Sequence, residues 1–193
     1  MEAKTIKEIL ASLPKPKELK VHPRAVGAQA IRNYAAWMAE KRGYIHTAES
    51  LDALEKYMQG YSLLLTGAVG TGKTFFFQSL GRDIEIVSLA TLAGWKLDDI
   101  QRLLDNNSDY EVVFDDIGAE PAISDFGVKQ EILPLILERR QYCRKRTHFT
   151  TNLSAQAIEE RYGVRSIDRI YGMTYPITFT GESKRDCKPF VES

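Results

Sequence analysis

The sequence predicts a three-layer α/β domain with a five-stranded, mostly parallel sheet. Two observations carry that prediction. Short apolar runs of strand length, each bounded by glycine or polar residues, alternate with stretches of helical periodicity. One such run ends directly in the glycine-rich segment GAVGTGKT, residues 67–74. Runs apolar on successive positions fit strands buried on both faces of a parallel sheet.

Along the chain, residues 4–12 read as a short helix and LPKPKELKVHP (13–23), with three prolines, as an extended connector. Apolar residues at Val26, Ala30, Ile31, Tyr34, Trp37 and Met38 recur at helical spacing, and Gly43 marks the stop. A second helix spans 48–58 and closes at Gly60. YSLLLTG (61–67) is the first strand, and KTFFFQSL after the glycine loop is a helix ended by Gly81. IEIVS (84–88) is the second strand and 96–104 a helix. EVVFDD (111–116) is the third strand. Residues 128–146 read as a helix that Pro134 either bends or truly begins. THFTTN (147–152) is the fourth strand, Ser154 caps the next helix, and MTYPITFT (173–180) is the fifth strand. A boundary is expected at 44/45, with 1–44 a helical and extended appendage, a candidate partner-binding element, and 45–193 the main domain.

Composition is that of a soluble protein: 44% hydrophobic and 27% charged. No apolar run approaches the roughly 20 residues of a membrane span, and the charged N-terminus lacks a signal-peptide core, so a cytoplasmic location is expected. Cys143 and Cys187 have neither zinc spacing nor a nearby partner and read as free thiols. The zero net charge is uneven. Residues 1–47 carry 9 basic and 4 acidic side chains (+5), residues 48–138 carry 6 and 16 (−10), and residues 139–193 carry 11 and 6 (+5). Basic ends around an acidic centre suit either a polyanion-facing surface or simple internal neutralisation.

GAVGTGKT fits the phosphate-binding pattern G-x-x-x-x-G-K-[ST] and stands where that loop must stand, between a strand and a helix. Gly67, Gly70, Thr71 and Gly72 would bring backbone N–H groups onto phosphate oxygens. Lys73 would reach the β- and γ-phosphates, and the Thr74 hydroxyl would hold Mg²⁺. The third strand then delivers Asp115 and Asp116 to the same sheet edge. Asp115 is the expected magnesium partner, and Asp116 is expected to orient or activate the attacking water. No NKxD guanine-reading motif is present, which favours ATP over GTP.

The succession GAVGTGKT, FDDIGAE (114–120), FTTN (149–152), GVRSIDRI (163–170) and FTGES (179–183) resembles the AAA+ ATPases, and within them the DnaC/DnaI helicase loaders and IstB. The resemblance spans about residues 45–186. It implies that Asn152 is the polar sensor at the end of the fourth strand. It also implies that Arg169, with Arg165 beside it, is an arginine finger offered to a neighbouring subunit. Arg139 and Arg140 are second choices for that finger. The resemblance implies ATP and Mg²⁺ as cofactors, a homo-oligomer when active, and a replicative helicase or transposase and DNA as partners.

The departures are specific. Asp116 stands where most AAA+ proteins have Glu, which implies slow hydrolysis. The sequence ends soon after the fifth strand, so no C-terminal helical lid is expected, and Arg185 is the remaining candidate for a lid arginine. RRQYCRKR (139–146) is the densest basic run, and its Tyr142 is a candidate for base stacking if it is not a solvated helix end. The functional expectation is a slow, partner-stimulated ATPase that loads a helicase in DNA replication. The alternatives are an IstB-like transposition helper or a low-turnover nucleotide-binding regulator.

Overall fold

Alternate residues of each central strand point into two separate apolar layers, and this makes the molecule three layers thick. The computed structural model describes residues 25–82, 84–92, 95–107, 110–125 and 128–183, the side chains of 123–130 excepted. The helix expected over 4–12, the connector 13–23, Arg185 and Cys187 lie outside these residues. The strands are β1 (Leu63–Thr66), β2 (Glu85–Ser88), β3 (Val112–Ile117), β6 (Thr147–Thr151) and β7 (Tyr175–Thr178), in the spatial order β2-β3-β6-β1-β7. Every neighbouring pair in this sheet is parallel. A two-stranded antiparallel ribbon, β4 (Ile123–Asp125) with β5 (Val128–Gln130), stands apart from it.

One layer holds Leu63, Leu65, Val113 and Ile177 against helices α1 (Ala28–Arg42), α2 (Ala48–Gln59) and α3 (Lys73–Ser79). The other holds Leu64, Val112, Phe114 and Phe149 against α4 (Leu97–Asn106), α5 (Ile132–Cys143), α6 (Ala155–Tyr162) and α7 (Val164–Met173). Leu63 and Leu64 go opposite ways, as do Val112 and Val113, which is the period of two expected of a strand. Burying both faces explains why these strands read as continuous apolar runs. Ala35, Met38 and Tyr44, N-terminal to the boundary expected at 44/45, share a buried cluster with Phe76, Phe77 and Leu80.

Two sequence expectations are corrected. The helix expected over 128–146 begins only at Ile132, because 128–130 pair with 123–125 in the ribbon. Pro134 is therefore the third residue of α5, in the first turn, where its missing N–H has no partner to lose. The fifth strand is shorter than expected: Met173 closes α7 and the strand starts at Tyr175. In space, the strand between the glycine loop and the two acids is β6, while β2 lies at the sheet edge. Ser154 caps α6 as expected, accepting from the Ala157 N–H at 3.1 Å.

At the opposite edge from the glycine loop, a buried polar cluster ties three elements together. His148 of β6 is fully buried. Its Nδ1 accepts from the Leu63 N–H (3.0 Å), which leaves the ring proton on Nε2, 2.8 Å from Glu111 Oε1. Arg146 pairs with Glu111 at 3.2 Å and donates to the carbonyls of Tyr57 (3.0 Å) and Tyr61 (2.8 Å). Burial pushes the imidazole pKa down, although the Glu111 hydrogen bond works the other way. Burial alone would raise the Glu111 carboxyl, but the His148 hydrogen bond and the Arg146 charge hold it below its ordinary value.

The sign of the pH dependence follows. The unfolded chain takes up a proton near the ordinary histidine value of 6.5, and the folded chain does so only at lower pH. This contribution is intact above that value and is lost as pH falls towards the folded value. Glu111 adds a second loss below its ordinary 4.5. Urea unfolding of the wild type is expected to show stability declining from pH 7 to pH 5. His148→Gln, which has no titrating ring, is expected to flatten that slope while lowering stability at pH 7. An unchanged slope would contradict the assignment.

Candidate functional site

The C-terminal ends of β1, β3 and β6 converge on a cavity of about 520 Å³. β1 runs into the glycine loop, and Lys73 and Thr74 open α3 immediately after it. Gly67, Gly70 and Gly72 have φ of 134°, 84° and 95°, the left-handed side that side chains disfavour. Gly67 is further constrained by packing, because a Cβ there would sit 2.1 Å from the Phe179 carbonyl oxygen. The segment after β7 thus backs the loop.

Lys73 is only 5% exposed. Its Nζ donates to the carbonyls of Gly67 and Ala68, each at 2.8 Å, and to Asn152 Oδ1 at 2.7 Å. A buried ammonium without partners would cost several kcal/mol, so these three acceptors are a condition of its position. The contact to Asn152 brings together two residues 79 positions apart.

The acids are held from the adjoining strand. Asp115 Oδ1 accepts from the Thr74 hydroxyl at 2.8 Å and from the Thr150 hydroxyl at 2.6 Å. Thr150 Oγ1 in turn accepts from the Asp116 N–H at 2.9 Å. Asp116 takes φ 60°, sparsely occupied by residues other than glycine, and lines the cavity with Asp115, Asn152, Lys73 and Thr74. This donor set fits a hard divalent cation, for a carboxylate and a hydroxyl already lie within hydrogen-bond distance of each other. Thr74 and Asp115 are the residues that would hold it.

The other expected residues fall as follows. Thr71 is buried, and its hydroxyl donates to the Ala68 carbonyl at 3.0 Å, so the side chain braces the loop and leaves only its backbone for a ligand. Arg165 is exposed and Arg169 half-buried on α7, and neither lines the cavity. The second-choice arginines both have partners within the fold. Arg140 is fully buried and donates to Thr147 Oγ1 and to the carbonyls of Asn107, Tyr110 and Arg146. Arg139 pairs with Asp105 at 2.6 Å. With Arg146 bound to Glu111, three of the cations in RRQYCRKR serve the fold, which favours its reading as a helix end.

Sequence reasoning missed two contributors. Thr150 sat inside the FTTN motif without a role, though a strand end beside the acids is where a bridging hydroxyl is useful. Gly43, Tyr44 and Ile45 form one wall of the cavity. Gly43 was read only as a helix stop, and its left-handed cap is what turns the chain so that Tyr44 stacks on Phe75 (centroids 5.5 Å apart, 25° between planes). Burial pushes the Tyr44 phenol up to about 12, so it stays neutral and contributes an apolar face. Among the described residues no group of three or more His, Cys, Asp or Glu side chains could by itself hold a metal ion, and no helix is long and apolar enough to cross a membrane.

Thr150→Val keeps the shape but leaves the Asp116 N–H without its acceptor. Denaturant unfolding is expected to show a loss of about 1–3 kcal/mol, and an unchanged midpoint would contradict the bridging role. Lys73→Ala is expected to weaken binding of a fluorescent ATP analogue by at least tenfold, of the order of one charge-assisted hydrogen bond. Unchanged affinity would contradict the assignment of the cavity.

No family model and no curated protein matches the sequence. Solved structures do match its fold. One is DnaI, with a TM-score of 0.52 and 22% identity, covering 94% of each chain. Another is AMPPCP-bound DnaA from Aquifex aeolicus, with a TM-score of 0.53 and 16% identity, covering 72% of this chain and 49% of that one. What they share with this chain is the five-stranded parallel sheet layered with helices. The chain shares its overall fold with DnaI and DnaA.

Proposed function

We propose that this chain is a Mg²⁺-dependent ATPase of the DnaC/DnaI helicase-loader kind, acting in DNA replication on a replicative helicase. One observation carries the proposal: Lys73, Thr74, Asp115 and Asn152, from three different parts of the sequence, are joined by hydrogen bonds of 2.7–2.8 Å at one sheet edge. A glycine turn without a ligand has no need of that convergence.

The roles follow from position. Backbone N–H groups of the loop and the start of α3 receive phosphate oxygens. Lys73 supplies the cation on the β- and γ-phosphate side, exchanging its loop carbonyls for phosphate oxygens. Thr74 and Asp115 hold Mg²⁺, which when bound neutralises phosphate charge. Tyr44, Ile45 and Phe75 give the base an apolar wall. Asp116 orients or activates the attacking water. Its carboxylate is one methylene shorter than glutamate, which is consistent with slow turnover. The Asn152 amide is within reach of the same region and would hydrogen-bond the water or the γ-phosphate.

Among the described residues no arginine lines the cavity, yet a transition state that spreads charge over phosphate oxygens benefits from one. Arg169, half-buried on α7 with the exposed Arg165 beside it, would be supplied in trans. Residues 1–44 are proposed to include the element that meets the helicase.

The experiment is ATP turnover per subunit measured against protein concentration, with Arg169→Ala beside the wild type. Turnover is expected to rise with concentration, and the variant to lose at least tenfold in kcat at unchanged ATP affinity. Flat turnover with a normal variant would contradict the trans arginine. Capture of a hexameric replicative helicase by the full chain is expected. Filament formation on duplex DNA without helicase capture would favour a transposition helper instead.

A further inference from the structure

A second buried polar cluster lies beside the cavity without lining it. Glu120, four residues after Asp116, is 2% exposed. Its Oε2 accepts from the Gly118 N–H at 2.8 Å and its Oε1 from the Tyr162 hydroxyl at 2.5 Å. Arg161 donates to the Gly118 carbonyl (2.5 Å), to the Glu120 carbonyl (2.6 Å) and to Glu131 Oε2 (3.1 Å). Its guanidinium also lies 4.9 Å from the Tyr162 ring centroid. The backbone of 118–120 is therefore held at two points by Arg161, and the Glu120 carboxylate at a third by Tyr162, the next residue of α6.

That grip has consequences on both sides. Towards the site, the Ala119 N–H closes a turn on the Asp116 carbonyl at 3.0 Å. The turn starts from the left-handed Asp116, a conformation the residue does not prefer. Gly118 has φ 103°, and a Cβ there would meet Leu153 Cδ1 at 2.6 Å, so the loop has no slack against the end of β6. On the other side, Tyr162 is the last residue of α6, Gly163 is the joint, and α7 begins at Val164. The Ser166 hydroxyl donates to the Tyr162 carbonyl at 2.9 Å, binding the first turn of α7 to the same residue that holds Glu120. Arg165 and Arg169 are carried on that helix.

We infer that Arg161, Tyr162 and Glu120 form a latch that couples the position of α7 to the backbone at Asp116. A displacement of α7 moves Tyr162 and, through Glu120 and Gly118, the turn that fixes Asp116. The functional meaning rests on the reading above, in which α7 meets the nucleotide of a neighbouring copy. Contact with the neighbour's site is then felt at this subunit's own acid. Arg161 and Tyr162 are positioning residues, since neither lines the cavity.

The test uses the full chain and amide hydrogen exchange over 116–120 and 164–173, with ATP affinity and kcat measured in parallel. Tyr162→Phe and Glu120→Ala each remove one buried hydrogen bond or more. Both are expected to quicken exchange about tenfold in both segments, and to lower kcat at unchanged ATP affinity. Glu120→Gln keeps an acceptor for Gly118 and gives Tyr162 a donor, so it is expected to stay within about twofold of wild type. Unchanged exchange at 116–120 in both disruptive variants overturns the inference. So does faster exchange at 116–120 in Glu120→Ala with 164–173 unmoved, since Glu120 would then brace only its own loop. If both segments respond while the wild type hydrolyses no ATP, the coupling stands and the hydrolytic reading fails.

Discussion

Asp115 Oδ1 is shared by two hydroxyls, Thr74 at the start of α3 and Thr150 in β6, and the geometry of the candidate site depends on that sharing. The contact joins the end of β3 to the residues that follow the glycine loop, across an intervening strand. It also sets Asp116, because Thr150 holds the Asp116 N–H with the oxygen of the same hydroxyl. Hydrogen bonds to a charged group contribute about 1.5–3 kcal/mol each, and here they sit on a residue that is 7% exposed. The interleaving of β6 is thus more than topology. It places a threonine between the two acids and an asparagine two residues further along, against Lys73.

The same edge explains why this chain carries so many constraints on so few residues. Lys73 spans from the loop to Asn152, Asp115 from β3 to the loop, and Arg161 with Tyr162 from α6 to the turn beyond Asp116. Each is a link between elements distant in sequence. Together they make the strand ends a single framework rather than three separate loops. At the other end of the sheet, Arg140, Arg146 and His148 perform the corresponding task with backbone carbonyls and Glu111. Cations that look like an interaction surface in the sequence are mostly occupied there.

The sheet and the loop were legible because their signals are local. A four-residue apolar run such as LLLT, followed by a glycine loop and a helix, has few alternative structures. Asp115, Asp116 and Asn152 could be found because each ends a strand whose length is set by burial. What could not be read were contacts decided by strand order. Thr150 acquires its role only because β6 lies between β3 and β1, and a linear reading puts β2 there. Residues 128–130 of the ribbon read as the start of a helix, since a short antiparallel pair outside the main sheet has no periodicity to announce it. Arg140 is buried within α5 while Arg144 is its exposed left-handed cap, a distinction that depends on where the helix ends. Arg161 and Glu120 gave no signal, because a buried charged residue looks like an exposed one until its partners are known.

The account stands most directly on the claim that Thr74 and Asp115 form the metal-holding half of an ATP site. Calorimetric titration of ATP into the wild type and Asp115→Asn, each with Mg²⁺ and with EDTA, measures that claim. The account predicts that Mg²⁺ tightens ATP binding to the wild type by about tenfold or more, the scale of one strong charged contact. It predicts that Asp115→Asn loses this increment while keeping its metal-free affinity. Equal wild-type affinities with and without Mg²⁺, or an unchanged increment in the variant, would contradict it.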